Sequence, residues 1–166
     1  MRLFIGKEAK LESYPALKNA FNPYFKGRWT PPEDLHLTLI FLGDALEPQE
    51  VVNRLSGMEL LADRFELAGV GTFGRPANVF FARCAATPEL KALESTVRDR
   101  LGIECDKPFS PHVTLMRPKV VTQPDRLTRT LIDWQDRPLG ECTGPWKLYQ
   151  STLRPEGPIY ETLHVF

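Results

Sequence analysis

The sequence predicts an α+β fold in which two lobes of antiparallel sheet, with helices on their outer faces, meet at a central groove. Short β-rich segments alternate with segments of helical periodicity along the whole chain. No linker or low-complexity stretch divides the 166 residues, so we expect one domain over residues 1–166. Two predicted strands, at 35–42 and 112–116, carry the same HxTL pattern, and we expect each lobe to place one of them in the groove.

The first half of the chain predicts two strand–helix units. Residues 3–5 form a short apolar run typical of a buried strand, and residues 11–21 place apolar side chains at helical spacing. Residues 35–42, LHLTLIFL, begin with polar and apolar side chains in alternation, which indicates a strand with one wet face. Residues 48–62 begin with proline and carry apolar residues at helical intervals, so we predict a second helix there.

The second half predicts a hairpin, two helices and three further strands. Two β-rich runs, 64–73 and 78–85, flank a Gly-Arg-Pro-Ala turn. Residues 88–101 form an apolar stripe with glycine just past its end, as expected of a helix. The remaining predicted elements are the strand 112–116, a helix near 125–134, and closing strands at 146–153 and 160–166.

Composition limits how the chain can bind other molecules. It is 42% hydrophobic with a net charge of +0, which is typical of a globular protein and excludes one that coats nucleic acid by bulk charge. Residues 1–30 are locally basic, with six Lys or Arg against two Glu, a net charge of +4. This segment is either a solvated basic face or the wall of a groove that binds phosphates.

The cysteines and the amino-terminal residues predict the compartment. Cys84, Cys105 and Cys142 are odd in number and lack CxxC spacing, which favours neither a disulfide framework nor a zinc site. The apolar run at the start is too short for a signal-peptide core or a membrane span. We therefore expect a cytoplasmic monomer without membrane association.

Two of the three histidines open the same tetrapeptide pattern. His36 begins HLTL and His112 begins HVTL, whereas a given His would be followed by x-Thr-Leu only about once in two hundred times at average usage. In a strand, residues i and i+2 lie on the same face, so Thr38 accompanies His36 and Thr114 accompanies His112. If the lobes face each other across a cleft, the four polar side chains meet there.

Paired histidines and hydroxyls suit displacement at phosphorus. With an unperturbed pKa of about 6.5, one imidazole can act as base and the other as acid near pH 7, while Thr38 and Thr114 donate hydrogen bonds to the phosphoryl oxygens. For a single motif, a structural histidine beside a β-forming threonine would be a sufficient explanation. Zinc fits poorly because no third ligand has the usual spacing, so we expect no metal or cofactor. His164 lacks the pattern and is predicted to be structural.

At these residues the sequence resembles the 2H phosphoesterase superfamily, which is defined by two HxTx motifs. Within it, the sequence is most similar to the bacterial and archaeal RNA 2',3'-cyclic phosphodiesterases, also called 2'-5' RNA ligases. The resemblance spans nearly the whole chain in family order, although the segment before Arg28 is shorter than usual. The fragments that carry it are RLFIG, RWTPPEDLHLTLIFLG, FSPHVTLMRP and LYQSTLRPEGPIYETLHVF.

The resemblance implies metal-independent hydrolysis of an RNA 2',3'-cyclic phosphate to a 2'-phosphate, with a reversible capacity to join RNA ends through a 2'-5' bond. It implies that His36 is the proton donor to the leaving 3'-oxygen and His112 the acceptor that activates water. It also implies that Arg117 contacts phosphate and that Phe41 stacks on a base or ribose. Each of these two lies five residues after its histidine, so the roles require a twist, bulge or strand end. Otherwise Phe41 belongs to the core and Arg117 to the surface.

Other functions remain open at this point. The chain could be a module that binds a nucleotide or an RNA end without turnover. Its substrate could instead be a small cyclic nucleotide, a 2'-5' oligoadenylate or a nicotinamide-derived cyclic phosphate. Ser151 and Tyr149 lie in a late strand that the family shares, where Ser151 either lines the groove or has a structural role.

Overall fold

The computed structural model describes residues 2–61 and 63–166, which form antiparallel strands and four α-helices. The α+β class predicted from the sequence is confirmed. The strands are β1 (Arg2–Leu11), β2 (Phe25–Lys26), β3 (His36–Gly43), β4 (Phe65–Phe73), β5 (Val79–Cys84), β6 (His112–Met116), β7 (Val120–Val121), β8 (Pro138–Cys142), β9 (Lys147–Thr152) and β10 (Ile159–Val165). The helices are α1 (Tyr14–Phe21), α2 (Pro48–Arg54), α3 (Pro88–Leu101) and α4 (Pro124–Asp133), with a 3-10 turn at Pro32–Asp34.

Eight strands form one continuous sheet in the order β10-β9-β1-β3-β6-β5-β4-β8, and β2 pairs with β7 in a small ribbon. Because β8 also pairs with the second half of β1, six of the eight strands close into a ring. The two predicted sheets are therefore the halves of one sheet, each carrying one motif strand. They join where Leu37 of β3 pairs with Val113 of β6. The division into two lobes of a single domain stays a prediction.

Two helix boundaries differ clearly from the sequence predictions. Leu11 closes β1 instead of opening α1, because the end of β1 pairs with β8, a strand that was not predicted. The second helix ends at Arg54 rather than continuing to residue 62, since Gly57 adopts a left-handed φ of 80° that interrupts it. Residue 62 itself lies outside the described residues.

One apolar core anchors both motif strands. Leu37, Leu39, Val113 and Leu115 are all at most 3% exposed, whereas the polar residues between them are half-buried on the opposite face. All four helices bury apolar side chains in this same core. No helix in residues 2–61 and 63–166 combines the length and hydrophobicity needed to span a bilayer. The core thus fixes the motif strands with their polar faces turned outward.

Gly140 permits the ring of strands to close. It pairs with Leu11 on one side and Leu67 on the other, so β8 lies between β1 and β4. A Cβ at this position would overlap the backbone oxygen of Lys10. At Gly6, under the first motif, an added Cβ would lie 2.9 Å from the backbone oxygen of Leu37, a milder conflict.

We predict that Gly140→Ala lowers the free energy of unfolding by about 3 kcal/mol, because the methyl group must force β8 away from β1. Gly6→Ala should lower it by about 1 kcal/mol, since a small strand shift relieves its conflict. Urea unfolding followed by tryptophan fluorescence measures both values. Wild-type stability of Gly140→Ala would contradict the close approach of β1 and β8.

Candidate active site

The two motifs lie together in a groove of about 660 Å³ on the polar face of the sheet. Both histidines and both threonines of the motifs line it. Ser151 also lines the groove, whereas His164 does not appear among the residues around it. The further lining residues used below are Arg2, Arg28, Asp34, Phe41, Gly157, Tyr160, Arg117 and Lys119.

The pairing of β3 with β6 places each histidine beside the threonine of the other motif. The strands are antiparallel with Leu37 opposite Val113. One step along this register in either direction, His36 lies opposite Thr114 and Thr38 opposite His112. The four side chains therefore form a compact set with approximate twofold symmetry about the Leu37–Val113 pair.

Both imidazoles are oriented by the same hydrogen bond. Nδ1 of His36 lies 2.7 Å from the backbone oxygen of Asp34, and Nδ1 of His112 lies 2.7 Å from that of Ser110. A carbonyl oxygen can only accept, so Nδ1 donates in each case. Nε2 of each ring is thus left as the nitrogen that can accept or release a proton in the groove.

A bulge follows each motif and re-aims the side chains beyond it. In β3, Thr38 pairs with Gly6 but Ile40 pairs with Ile5, which leaves Leu39 as the extra residue. The alternation restarts after the bulge, and Phe41 emerges on the groove face, 66% exposed.

The second motif repeats this deformation. In β6, Thr114 pairs with Phe81 but Met116 pairs with Phe80, so Leu115 is the extra residue. Arg117 consequently lines the groove as well. Phe41 and Arg117 could face the groove only if the strand departed from regular alternation, and a bulge provides this departure in both strands.

Comparison with known proteins identifies the family. The model of the 2'-5' RNA ligase superfamily matches residues 10–143. The chain belongs to this superfamily. The RNA 2',3'-cyclic phosphodiesterase of Thermotoga maritima is 30% identical, with 99% of this chain and 94% of the relative covered. The RNA 2',3'-cyclic phosphodiesterase of Thermus thermophilus is 33% identical, with 100% and 89% covered.

Solved structures share the fold over the full chain. The crystal structure of TT0787 from Thermus thermophilus has a TM-score of 0.73 and 26% identity, covering 100% of this chain and 97% of that one. The structure of E. coli LigT complexed with 3'-AMP has a TM-score of 0.68 at 22% identity, covering 99% and 96%. The fold of this chain is thus the fold of these solved structures.

Aromatic side chains pack against both imidazoles, and the sequence analysis missed them. The ring of His36 lies 4.9 Å from Phe4 and 5.1 Å from Tyr160, centroid to centroid. The ring of His112 lies 5.2 Å from Phe73 and 5.3 Å from Phe81. These contacts restrict rotation of the imidazole rings. Predicting them would require the strand pairings, which the sequence alone does not give.

The surroundings of His36 favour its neutral form in this member of the superfamily. Burial lowers the pKa of His36 below its usual 6.5, and positive charge on the neighbouring Arg117 and on a protonated His112 lowers it further. The hydrogen bond to the Asp34 carbonyl and the charge of Asp34 oppose this shift. An anion bound between His36 and Arg117 would counter the cationic contributions and raise the pKa.

The basic amino-terminal segment contributes to the groove only in part. Arg2 and Arg28 line it, which fits the groove-wall interpretation of residues 1–30. Lys7 is fully buried instead, and its Nζ donates to the backbone oxygens of Asp63 and Gly144 at 2.7 Å each. In the part of the chain that the structure describes, no three His, Cys, Asp or Glu side chains are grouped to hold a metal ion.

We predict that His36 titrates below pH 6.5 in the free protein and that inorganic phosphate raises this value, because the anion offsets the neighbouring positive charges. Arg117→Ala should also raise the pKa of His36 by removing one of those charges. NMR titration of the imidazole signals measures both effects, with Lys91→Ala on the far α3 helix as a control for nonspecific change. A His36 pKa above 6.5 without phosphate would contradict the burial of this ring.

Proposed function

We propose that this chain hydrolyses the terminal 2',3'-cyclic phosphate of RNA to a 2'-phosphate. The observation that carries the proposal is the convergence of two imidazole–threonine pairs on one groove, each imidazole with Nδ1 committed to a backbone carbonyl and Nε2 left for proton transfer. The names of the relatives support the same activity, since several about 30% identical are RNA 2',3'-cyclic phosphodiesterases.

The proposed reaction is an in-line displacement at phosphorus. Nε2 of His112 accepts a proton from water as the water oxygen bonds to phosphorus. The bond between phosphorus and the 3'-oxygen breaks, and Nε2 of His36 donates its proton to that oxygen. The phosphate remains on the 2'-oxygen, and exchange with solvent restores both rings.

Charge on the phosphoryl group is stabilised by donors already in the groove. The hydroxyls of Thr38 and Thr114 lie beside the histidines and can donate to the non-bridging oxygens, where negative charge increases in the transition state. Arg117 supplies a positive charge next to the motifs, and Phe41 offers an exposed ring for stacking on a base or ribose. None of these steps calls for a metal ion.

The protonation of His36 is coupled to substrate binding in this proposal. The donor must carry two ring protons, but the pKa of His36 is lowered in the free protein. The phosphate of the substrate offsets the charge of Arg117, which favours protonation of the His36 ring as the site fills. Binding of the anion therefore favours the protonated form of His36 that can act as the donor.

The same site can join RNA ends if a 5'-hydroxyl replaces water. Attack by that hydroxyl on the cyclic phosphate, with the same proton transfers, expels the 3'-oxygen and leaves a 2'-5' phosphodiester.

We place the protein in the reducing cytoplasm as a monomer. The reducing compartment agrees with its three cysteines being free thiols, of which Cys84 and Cys142 are buried.

We predict that His36→Ala and His112→Ala each lower kcat for RNA 2',3'-cyclic phosphate by about 10²- to 10⁴-fold, because each removes one proton transfer. The assay offers an oligonucleotide that ends in the cyclic phosphate and identifies by phosphorus NMR which hydroxyl keeps the phosphate. The wild type should yield the 2'-phosphate and should keep its rate in EDTA.

His164→Ala is the matched control, since this third histidine is not among the groove residues. Full activity of His112→Ala, or a 3'-phosphate product, would rule out the mechanism. Nucleotide binding by calorimetry without turnover of any cyclic phosphate would favour the alternative of a binding module.

We predict that the two histidines respond differently to a substrate whose leaving group needs no proton. With bis(p-nitrophenyl) phosphate, which releases a stable phenolate, His36→Ala should keep most of the wild-type rate, whereas His112→Ala should still lose it because water must be deprotonated. Absorbance of p-nitrophenolate measures the rates. The opposite result would exchange the roles of donor and acceptor.

A further inference from the structure

Three cations on one wall of the groove come from a single ribbon of backbone. Residues 25–29 run antiparallel to residues 116–121: Lys26 pairs with Val120, Trp29 bridges to Met116, and the backbone N–H of Lys119 donates to Lys26 at 2.8 Å. The side chains from this ribbon that line the groove are Arg28, Arg117 and Lys119.

Neighbouring carboxylates offset the charge of these cations only in part, through Asp34. Among the ion pairs within residues 2–61 and 63–166, none involves Arg28, Arg117 or Lys119. Asp34 is the carboxylate among the groove-lining residues, and it faces four cations when Arg2 is included, a net charge of +3. Such a cluster of like charges in a concave site attracts anions and is most stable when anions occupy it.

The cyclic phosphate alone does not account for this charge. It carries one negative charge, and in the proposed mechanism the threonines of the motifs and Arg117 already bind it. An RNA strand that ends in a cyclic phosphate continues only through the 5'-oxygen of its last ribose. Its next phosphate therefore lies on one side of the reactive centre, which matches the placement of the additional cations Arg28 and Lys119 on one wall.

The position of Arg28 depends on a glycine in the facing turn. Gly157 lies in the turn between β9 and β10, with φ at 121° and its N–H donating to the backbone oxygen of Arg154 at 2.9 Å. A Cβ on Gly157 would overlap the guanidinium of Arg28. The absent side chain thus leaves the space in which this guanidinium rests at the edge of the groove.

We propose that Arg28 and Lys119 form a second phosphate subsite that binds the phosphodiester linking the terminal nucleotide to the preceding one. This inference rests on the proposed function and extends it, because the subsite makes an oligonucleotide end the preferred substrate over a cyclic mononucleotide. Arg28 determines specificity here, whereas Arg117 serves the reactive phosphate.

The test compares two substrates, adenosine 2',3'-cyclic phosphate and the dinucleotide ApA with a 2',3'-cyclic phosphate end. The wild type should have the higher kcat/KM on the dinucleotide. Arg28→Ala should reduce this preference about tenfold, since it removes a charge-assisted contact to phosphate. Gly157→Ala keeps the charge but displaces the guanidinium, and it should reduce the preference in the same direction. Lys91→Ala on α3 is the matched control and should behave as the wild type.

A dinucleotide with a neutral methylphosphonate in place of its internal phosphodiester separates charge from shape. The wild type should lose its preference for this substrate, and Arg28→Ala should then cause no selective loss. The salt dependence of kcat/KM on the normal dinucleotide should also fall by about 0.7 in logarithmic slope in Arg28→Ala. Equal kcat/KM of the wild type on both cyclic substrates, or an equal loss on both in Arg28→Ala, would overturn the subsite. Failure of the wild type to open either substrate would instead overturn the proposed function.

Discussion

The pairing of Leu37 with Val113 is the contact on which the rest of the site depends. This backbone pair joins β3 to β6, and it fixes the spacing and relative direction of both motifs. Because the strands are antiparallel, two copies of the same short pattern become a nearly symmetric set in which each imidazole faces the hydroxyl of the other copy. The pair is held from both sides, since β1 flanks β3, β5 flanks β6, and β8 closes the ring behind them.

The bulges show how one strand can direct two side chains five residues apart into the same groove. A regular strand would place these side chains on opposite faces, with the residue five positions after the histidine turned into the core. The extra residue at Leu39, and again at Leu115, shifts the alternation by one, so that both residues of each bulge are buried and the next side chain returns to the groove. The same deformation in both motif strands places an aromatic ring at one end of the site and a guanidinium at the other.

Local patterns in the sequence predicted the parts of the structure that local interactions determine. The α3 helix and β6 have the predicted bounds, because an apolar stripe with a terminal glycine and a short alternating run are signals contained in the segments themselves. The β8 strand was missed, since Pro138 and Gly140 resemble a turn and become a strand only through β1 and β4, which are remote in sequence. The aromatic rings around the histidines were missed for the same reason, as they come from neighbouring strands whose order in the sheet no local pattern encodes.

The charge distribution explains how a chain with no net charge can attract anions to one site. Its charges are balanced overall, so the long-range attraction that concentrates nucleic acid around basic proteins is weak. Within the groove, four cations face one carboxylate, and at short range their interaction with phosphate is screened less than on an open surface. Burial lowers the pKa of His36, the charge of Arg117 lowers it further, and an anion in the groove counters the contribution of that charge. An anion that binds between the motifs is therefore attracted by the same charges whose effect on the pKa of His36 it offsets.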